Sequence, residues 1–84
     1  MAAAIHPLHP PLEWRESPRA KGIWRAMNLT AKAVYQIEGL LFEDVDGTVR
    51  EYYAVDANRR PIGNASTLKE AKALAQRHED GFIR

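Results

Sequence analysis

The 84-residue chain has few side chains equipped for covalent chemistry. It contains no cysteine, which removes thiol nucleophiles, disulfides, iron–sulfur clusters and thiolate zinc sites together. A hydrolytic serine needs a histidine beside it and an acid behind that histidine. Ser17 stands next to Pro18 in a turn-like stretch, and Ser66 and Thr67 sit where a helix would begin. His6 and His9 lie in a proline-rich start and His78 near the other end, so spacing assembles no such set. His6 and His9 offer two ligands where a metal site needs three or four. Glu43-Asp44-Val45-Asp46-Gly47 resembles a calcium loop only in its acidity, because the later ligands and the closing glutamate are missing. No glycine-rich phosphate loop is present. These residues predict a protein that is not an enzyme and carries no metal or cofactor.

Two constellations could bind rather than react. The centre of the chain is acidic: residues 34–56 hold Glu38, Glu43, Asp44, Asp46, Glu51 and Asp56 against Arg50 alone. Both flanks are basic, so the net charge of +1 hides the asymmetry. Glu43, Asp44, Asp46 and Glu51, with Phe42 and Tyr53 as adjoining apolar anchors, would suit a protein partner with a basic surface. The alternative is that acidic centre and basic flanks attract one another within the fold. The second constellation is Trp14 and Trp24 interleaved with Arg15, Arg19, Lys21 and Arg25. Indoles beside cations could stack and neutralise single-stranded nucleic acid. The competing reading is a cross-strand tryptophan pair in the core.

The elements that would position these groups follow from pattern. Residues 1–11 form a proline-rich arm, where Pro7, Pro10 and Pro11 favour extended backbone. Residues 12–84 form one domain. Leu12–Glu16 alternates as a first strand, and Ser17–Gly22 is a turn. Ile23–Leu29 reads as a second strand and Ala31–Glu43 as a third, with Gly39 as a possible bulge. Asp46-Gly47 predicts a two-residue hairpin turn, which sets Glu43 opposite Arg50 and Leu41 opposite Tyr52. Large apolar groups then lie on both faces of that hairpin. Thr48–Asp56 is a fourth strand, Asp56–Arg59 a turn, and Arg60–Gly63 a short fifth edge strand as an option. Thr67 with Glu70 three residues on reads as a capping box. Leu68, Ala71, Leu74 and Ala75 supply the buried stripe of the helix, Asp80-Gly81 ends it, and Phe82 and Ile83 fold back on the core. The fold class is α+β: an antiparallel four-stranded meander under one C-terminal helix. No apolar run approaches the ~20 residues of a membrane span, and no secretory leader is predicted. The missing cysteines point to the cytoplasm.

The pattern Leu12-x-Trp14, Gly22-x-Trp24-x-Ala26 and Tyr35-x-Ile37 continues through Asp56–Gly63 and Thr67-Leu68-x-Glu70-Ala71-Lys72-x-x-Ala75. In this it resembles a group of small proteins encoded by tailed phages and prophages of Gram-negative bacteria. The group shares no active site. The proline-rich arm and the acidic hairpin depart from its minimal scaffold. The resemblance implies a non-catalytic binder acting in the host cytoplasm, of the kind represented by anti-CRISPR inhibitors of nucleic-acid-binding defence complexes. A nucleic-acid-binding accessory protein, and a structural phage component or homodimer built on the two-sided hairpin, are the other functions considered.

Overall fold

A computed structural model describes residues 10–81. The strands β1 (Trp14–Glu16), β2 (Ile23–Ala26), β3 (Tyr35–Glu43), β4 (Val49–Ala57) and β5 (Arg60–Ala65) form one antiparallel sheet in chain order. The helix α1 (Leu68–Glu79) packs on β3, β4 and β5. The expected α+β meander is therefore present, and the optional edge is a full fifth strand. The arm up to residue 9 and the fold-back of Phe82 and Ile83 lie outside the described residues.

Alternation in the two long strands creates the core. Tyr35 and Ile37 of β3 and Val55 and Ala57 of β4 are buried, while Gln36, Glu38, Ala54 and Asp56 between them are not. Register places Ile37 opposite Val55 and Tyr35 opposite Ala57, so the four share one face. Ala71 and Ala75 of α1 have no exposed surface, and their small size lets the helix lie close on the two strands. Trp14 and Trp24 pack around this cluster from the same face. Cutting Ile37 back to alanine in such a core costs about 2–5 kcal/mol. A helix cap is worth about 1 kcal/mol. Packing therefore dominates, and the cap sets where the helix starts.

Several boundaries differ from the pattern. β2 ends at Ala26 rather than Leu29, and β3 starts at Tyr35 rather than Ala31. The Asn28 side chain accepts from Glu13 N at 2.6 Å and donates to Pro11 O at 3.1 Å, which turns the chain away from the sheet. Residues 27–34 then loop beneath the end of α1. Gly39 is not a bulge, since β3 and β4 pair without interruption from Tyr35↔Ala57 to Glu43↔Val49. Glycine eases the packing there, because a Cβ would sit 3.3 Å from the Tyr53 ring, which would have to shift slightly. The irregularity falls between Val55 and Asp56, where β5 contributes one residue too many.

The β3–β4 turn is one residue longer than expected, and the β4–β5 turn expected over Asp56–Arg59 is centred one residue further on. Asp46-Gly47 is not a two-residue turn. Gly47 N donates to Asp44 O at 2.9 Å, Asp44 N to Thr48 O at 2.8 Å, and Gly47 has φ 84°. This is a three-residue loop ending in a left-handed glycine. It moves the register by one, so Phe42 faces Arg50, Leu41 faces Glu51 and Leu40 faces Tyr52. The two-residue turn is Asn58-Arg59, with both φ values positive at 51° and 66°. Asn58 pins it by exchanging hydrogen bonds with Val34, N to O at 2.8 Å and Oδ1 from N at 2.9 Å.

Half of the capping box forms. Thr67 Oγ1 accepts from Glu70 N at 3.1 Å, while the Glu70 carboxylate takes a long 3.5 Å bond from Ser66 Oγ. Thr67→Ala is expected to lower stability by about 1 kcal/mol. A denaturant midpoint identical to the parent's would contradict this capping geometry.

One buried carboxylate closes the far end of the core. Glu79 is 1% exposed and follows Ala71 and Ala75 at helical spacing. Both its oxygens accept from Lys32 N, at 3.1 and 3.2 Å, and Oε1 also accepts from the Tyr35 hydroxyl at 3.1 Å. Tyr35 Oη lies 2.7 Å from His78 Nδ1. The hydroxyl has one proton; given to Glu79, it leaves Oη to accept from His78 Nδ1–H. Burial, then the Glu79 bond, push the Tyr35 pKa well above that of an ordinary tyrosine. A raised folded pKa means this contribution is intact below the unfolded value of about 10 and is lost as pH climbs beyond it. Urea midpoints at pH 9 and pH 11 should fall more for the parent than for Tyr35→Phe. Equal alkaline losses would contradict the assignment.

Candidate functional site

β2 pairs with β3 only up to Ile23↔Glu38, and β5 pairs with β4 only from Tyr53↔Ala65. Residues 40–43 and 49–52 therefore pair with each other alone. They project beyond the sheet as a two-stranded ribbon with both edges unpaired among the described residues. α1 flanks its base along the β4 edge without covering its apolar side chains. Leu41 is 76% exposed, Phe42 51%, Val45 111% and Val49 60%. Apolar side chains thus stand on both faces of the ribbon, as the hairpin pattern anticipated, and Val45 adds one at its tip.

The carboxylates of the ribbon have distinct surroundings. Glu43 ends β3 and is exposed. Asp44 is half-buried and receives Arg50 Nε at 2.9 Å, taking the arginine that the sequence register assigned to Glu43. That ion pair is largely solvated and is worth under about 1 kcal/mol. Asp46 Oδ1 accepts from Thr48 N at 2.9 Å and so holds the turn. Glu51 accepts from the Tyr53 hydroxyl at 3.0 Å, which raises the tyrosine's pKa. Tyr53 is half-buried, with its ring 6.0 Å from Trp24 in an edge-on contact. It supports the ribbon's base, and Phe42 is the more available anchor. A groove of about 610 Å³ follows the free edge of β4, between Phe42, Arg50 and Tyr52 on the ribbon and Glu70, Leu74 and Arg77 on α1.

The tryptophan–arginine constellation is divided by the sheet. Trp14 lies opposite Ala26 and Trp24 opposite Ile37, on the helix-covered face. The two indoles do not form a direct cross-strand pair, because Trp24 is opposite Glu16. Arg15 and Arg25 face each other on the other side of the sheet, and Arg19 and Lys21 are exposed in the β1–β2 turn. Side chains that alternate in sequence point to opposite faces of a strand, so the cations do not flank the indoles.

Comparison with family models, with curated proteins and with solved structures returns no match. No helix among the described residues is long and apolar enough to cross a membrane, and no cluster of three or more potential metal ligands forms among them.

The exposure of Leu41, Val45 and Val49 was not singled out by sequence reasoning. The available signal was length: β3 and β4 are nine residues each, too long for one short helix to cover. For the acidic tip, the two bonds from Thr48 hold the Asp46 carboxyl below the usual aspartate range. The Thr48 amide shift should therefore titrate below pH ~4. Titration at or above that value would contradict the turn contact. Because a lowered pKa stabilises the charged form, this support of the turn is present at neutral pH and lost in acid.

Proposed function

We propose that the protein is a non-catalytic binding module that engages a basic protein surface through the β3–β4 ribbon. The observation that carries this reading is the projecting ribbon itself, with exposed Leu41, Phe42, Val45 and Val49 set among Glu43, Asp44, Asp46 and Glu51. Exposed apolar side chains supply the area a partner can desolvate, and surrounding charge steers and orients the encounter. Four carboxylates against Arg50 favour a partner rich in lysine and arginine. The narrower reading is a phage- or prophage-encoded inhibitor of a nucleic-acid-binding defence complex. Its support is the resemblance of the core and turn residues to small phage proteins, together with this acidic elaboration of them.

The test compares affinity capture by the parent with capture by two ribbon variants. Phe42→Ser with Leu41→Ser should fold and release the partner, chiefly through faster dissociation. Glu43→Gln with Asp44→Asn and Asp46→Asn should slow association and flatten its salt dependence. A partner retained at parental rate and affinity by both folded variants would refute the ribbon as the binding surface. Self-association abolished by the same variants would identify the occupant as a second copy instead.

A further inference from the structure

The face of the sheet away from α1 carries an unbalanced row of arginines. Arg15 stands directly opposite Arg25, Arg25 opposite Gln36, and Gln36 opposite Asp56. Arg59 joins this row from the β4–β5 turn. A cavity of about 230 Å³ lies here, lined by Arg25, Val34, Gln36, Asp56 and Arg59. We infer that this cavity binds a phosphate group carried on a sugar, with Arg25 and Arg59 holding the phosphate and Asp56 accepting from a sugar hydroxyl.

Three features support the assignment. The first is unneutralised positive charge on cross-strand neighbours. Arginines directly opposite each other across an antiparallel pair repel. Neither Arg15 nor Arg25 enters an ion pair among the described residues, where Arg50–Asp44 is the pair that forms. A dianion held by Arg25 would offset the like charge of its cross-strand neighbour Arg15, which does not itself line the cavity. The second is preorganisation. Arg25 Nε donates to Gln36 Oε1 at 3.1 Å, which turns the guanidinium and leaves its terminal NH₂ groups free for a bidentate contact. The third is backbone strain in the residue that completes the site. Arg59 has φ 66° at the second position of a turn where glycine is the ordinary choice. A branched-free but bulky residue in that conformation is disfavoured, and such outliers concentrate at ligand sites. The paired bonds between Asn58 and Val34 fix the turn against the start of β3, so the strain is spent on a defined place for Arg59 beside Gln36.

Size and polarity then narrow the ligand. The cavity is below the 300 Å³ or so of sites for drug-sized molecules, so it suits one phosphate and one sugar ring. Asp56 lies within it and would repel a bare anion, but it suits a ligand that presents a hydroxyl next to its phosphate. The phosphate could belong to a free sugar phosphate or to a ribonucleic-acid backbone, and the ligands tested separate these sources. The site is at the opposite end of β3 and β4 from the ribbon tip and is independent of ribbon binding.

The experiment is a nuclear magnetic resonance titration of the full chain at low salt with ribose 5-phosphate, a short single-stranded RNA and inorganic phosphate. The Arg25 Nε–H, the Gln36 side-chain amide and the Asp56 backbone amide should shift together. Saturation by ribose 5-phosphate identifies a free sugar phosphate, and saturation by RNA alone identifies the backbone. Arg25→Gln should weaken binding about tenfold or more, as expected for loss of a charge-assisted hydrogen bond. Arg59→Gly should weaken it similarly while raising the melting temperature by roughly 2–6 °C, because glycine relieves the strained turn. Arg77→Gln, on α1, should bind as the parent does. No shift with either sugar phosphate or RNA at millimolar concentration would overturn the proposal. So would parental affinity in folded Arg25→Gln and Arg59→Gly. Inorganic phosphate binding as tightly as ribose 5-phosphate would overturn the role of Asp56.

Discussion

The structure depends on a mismatch of lengths. α1 has twelve residues and at 1.5 Å per residue spans about 18 Å. β3 and β4 have nine residues each and at about 3.3 Å per residue span about 30 Å. One helix can cover little more than half of the hairpin. The covered half holds Tyr35, Ile37, Val55 and Ala57, whose burial against Ala71 and Ala75 supplies the core. The uncovered half holds Leu41, Phe42 and Val49, which are as apolar as the core and remain exposed. Fold and candidate binding surface are two parts of the same pair of strands, separated by where the helix stops.

The architecture was legible because its determinants are local. Alternation marks β1, β3 and β4, and Thr67 followed by Leu68, Ala71, Leu74 and Ala75 marks α1. The turns were less legible, because an Asp-Gly or Asn-Arg pair does not state how many residues the chain will use to reverse. At Asp46-Gly47 one additional loop residue moved every cross-strand partner by one. Arg50 consequently meets Asp44 rather than Glu43. The loop at 27–34 was hidden for another reason. Its apolar residues extend the strand pattern, and the bonds that divert the chain come from Asn28 to Pro11 and Glu13, far away in sequence. Glu79 was also hidden, since glutamate is ordinarily solvated and its partners Lys32 and Tyr35 are remote in the chain.

The candidate sites show the same division between local and distant information. The acidic residues of the ribbon are consecutive, so their cluster could be read directly. Their individual environments could not, because these depend on Thr48, Arg50 and Tyr53. The arginine row on the outer face depends wholly on register: Arg15, Arg25 and Arg59 are separated in sequence and meet only when β1, β2 and the β4–β5 turn are placed. The tryptophans, adjacent to these arginines in sequence, belong to the other face.

The unpaired edges of the ribbon carry a further consequence. Strand edges that are unpaired among the described residues and flanked by Leu41, Phe42 and Val49 form a template on which identical chains can zip into a continuous sheet. Glu43, Asp44 and Glu51 oppose this by placing like charges against a neighbouring copy's own carboxylates. Their ionisation acts as a solubility guard, independent of any partner. High salt screens that guard while leaving the apolar edge in place, so colloidal stability and folding stability have separate physical origins in this chain.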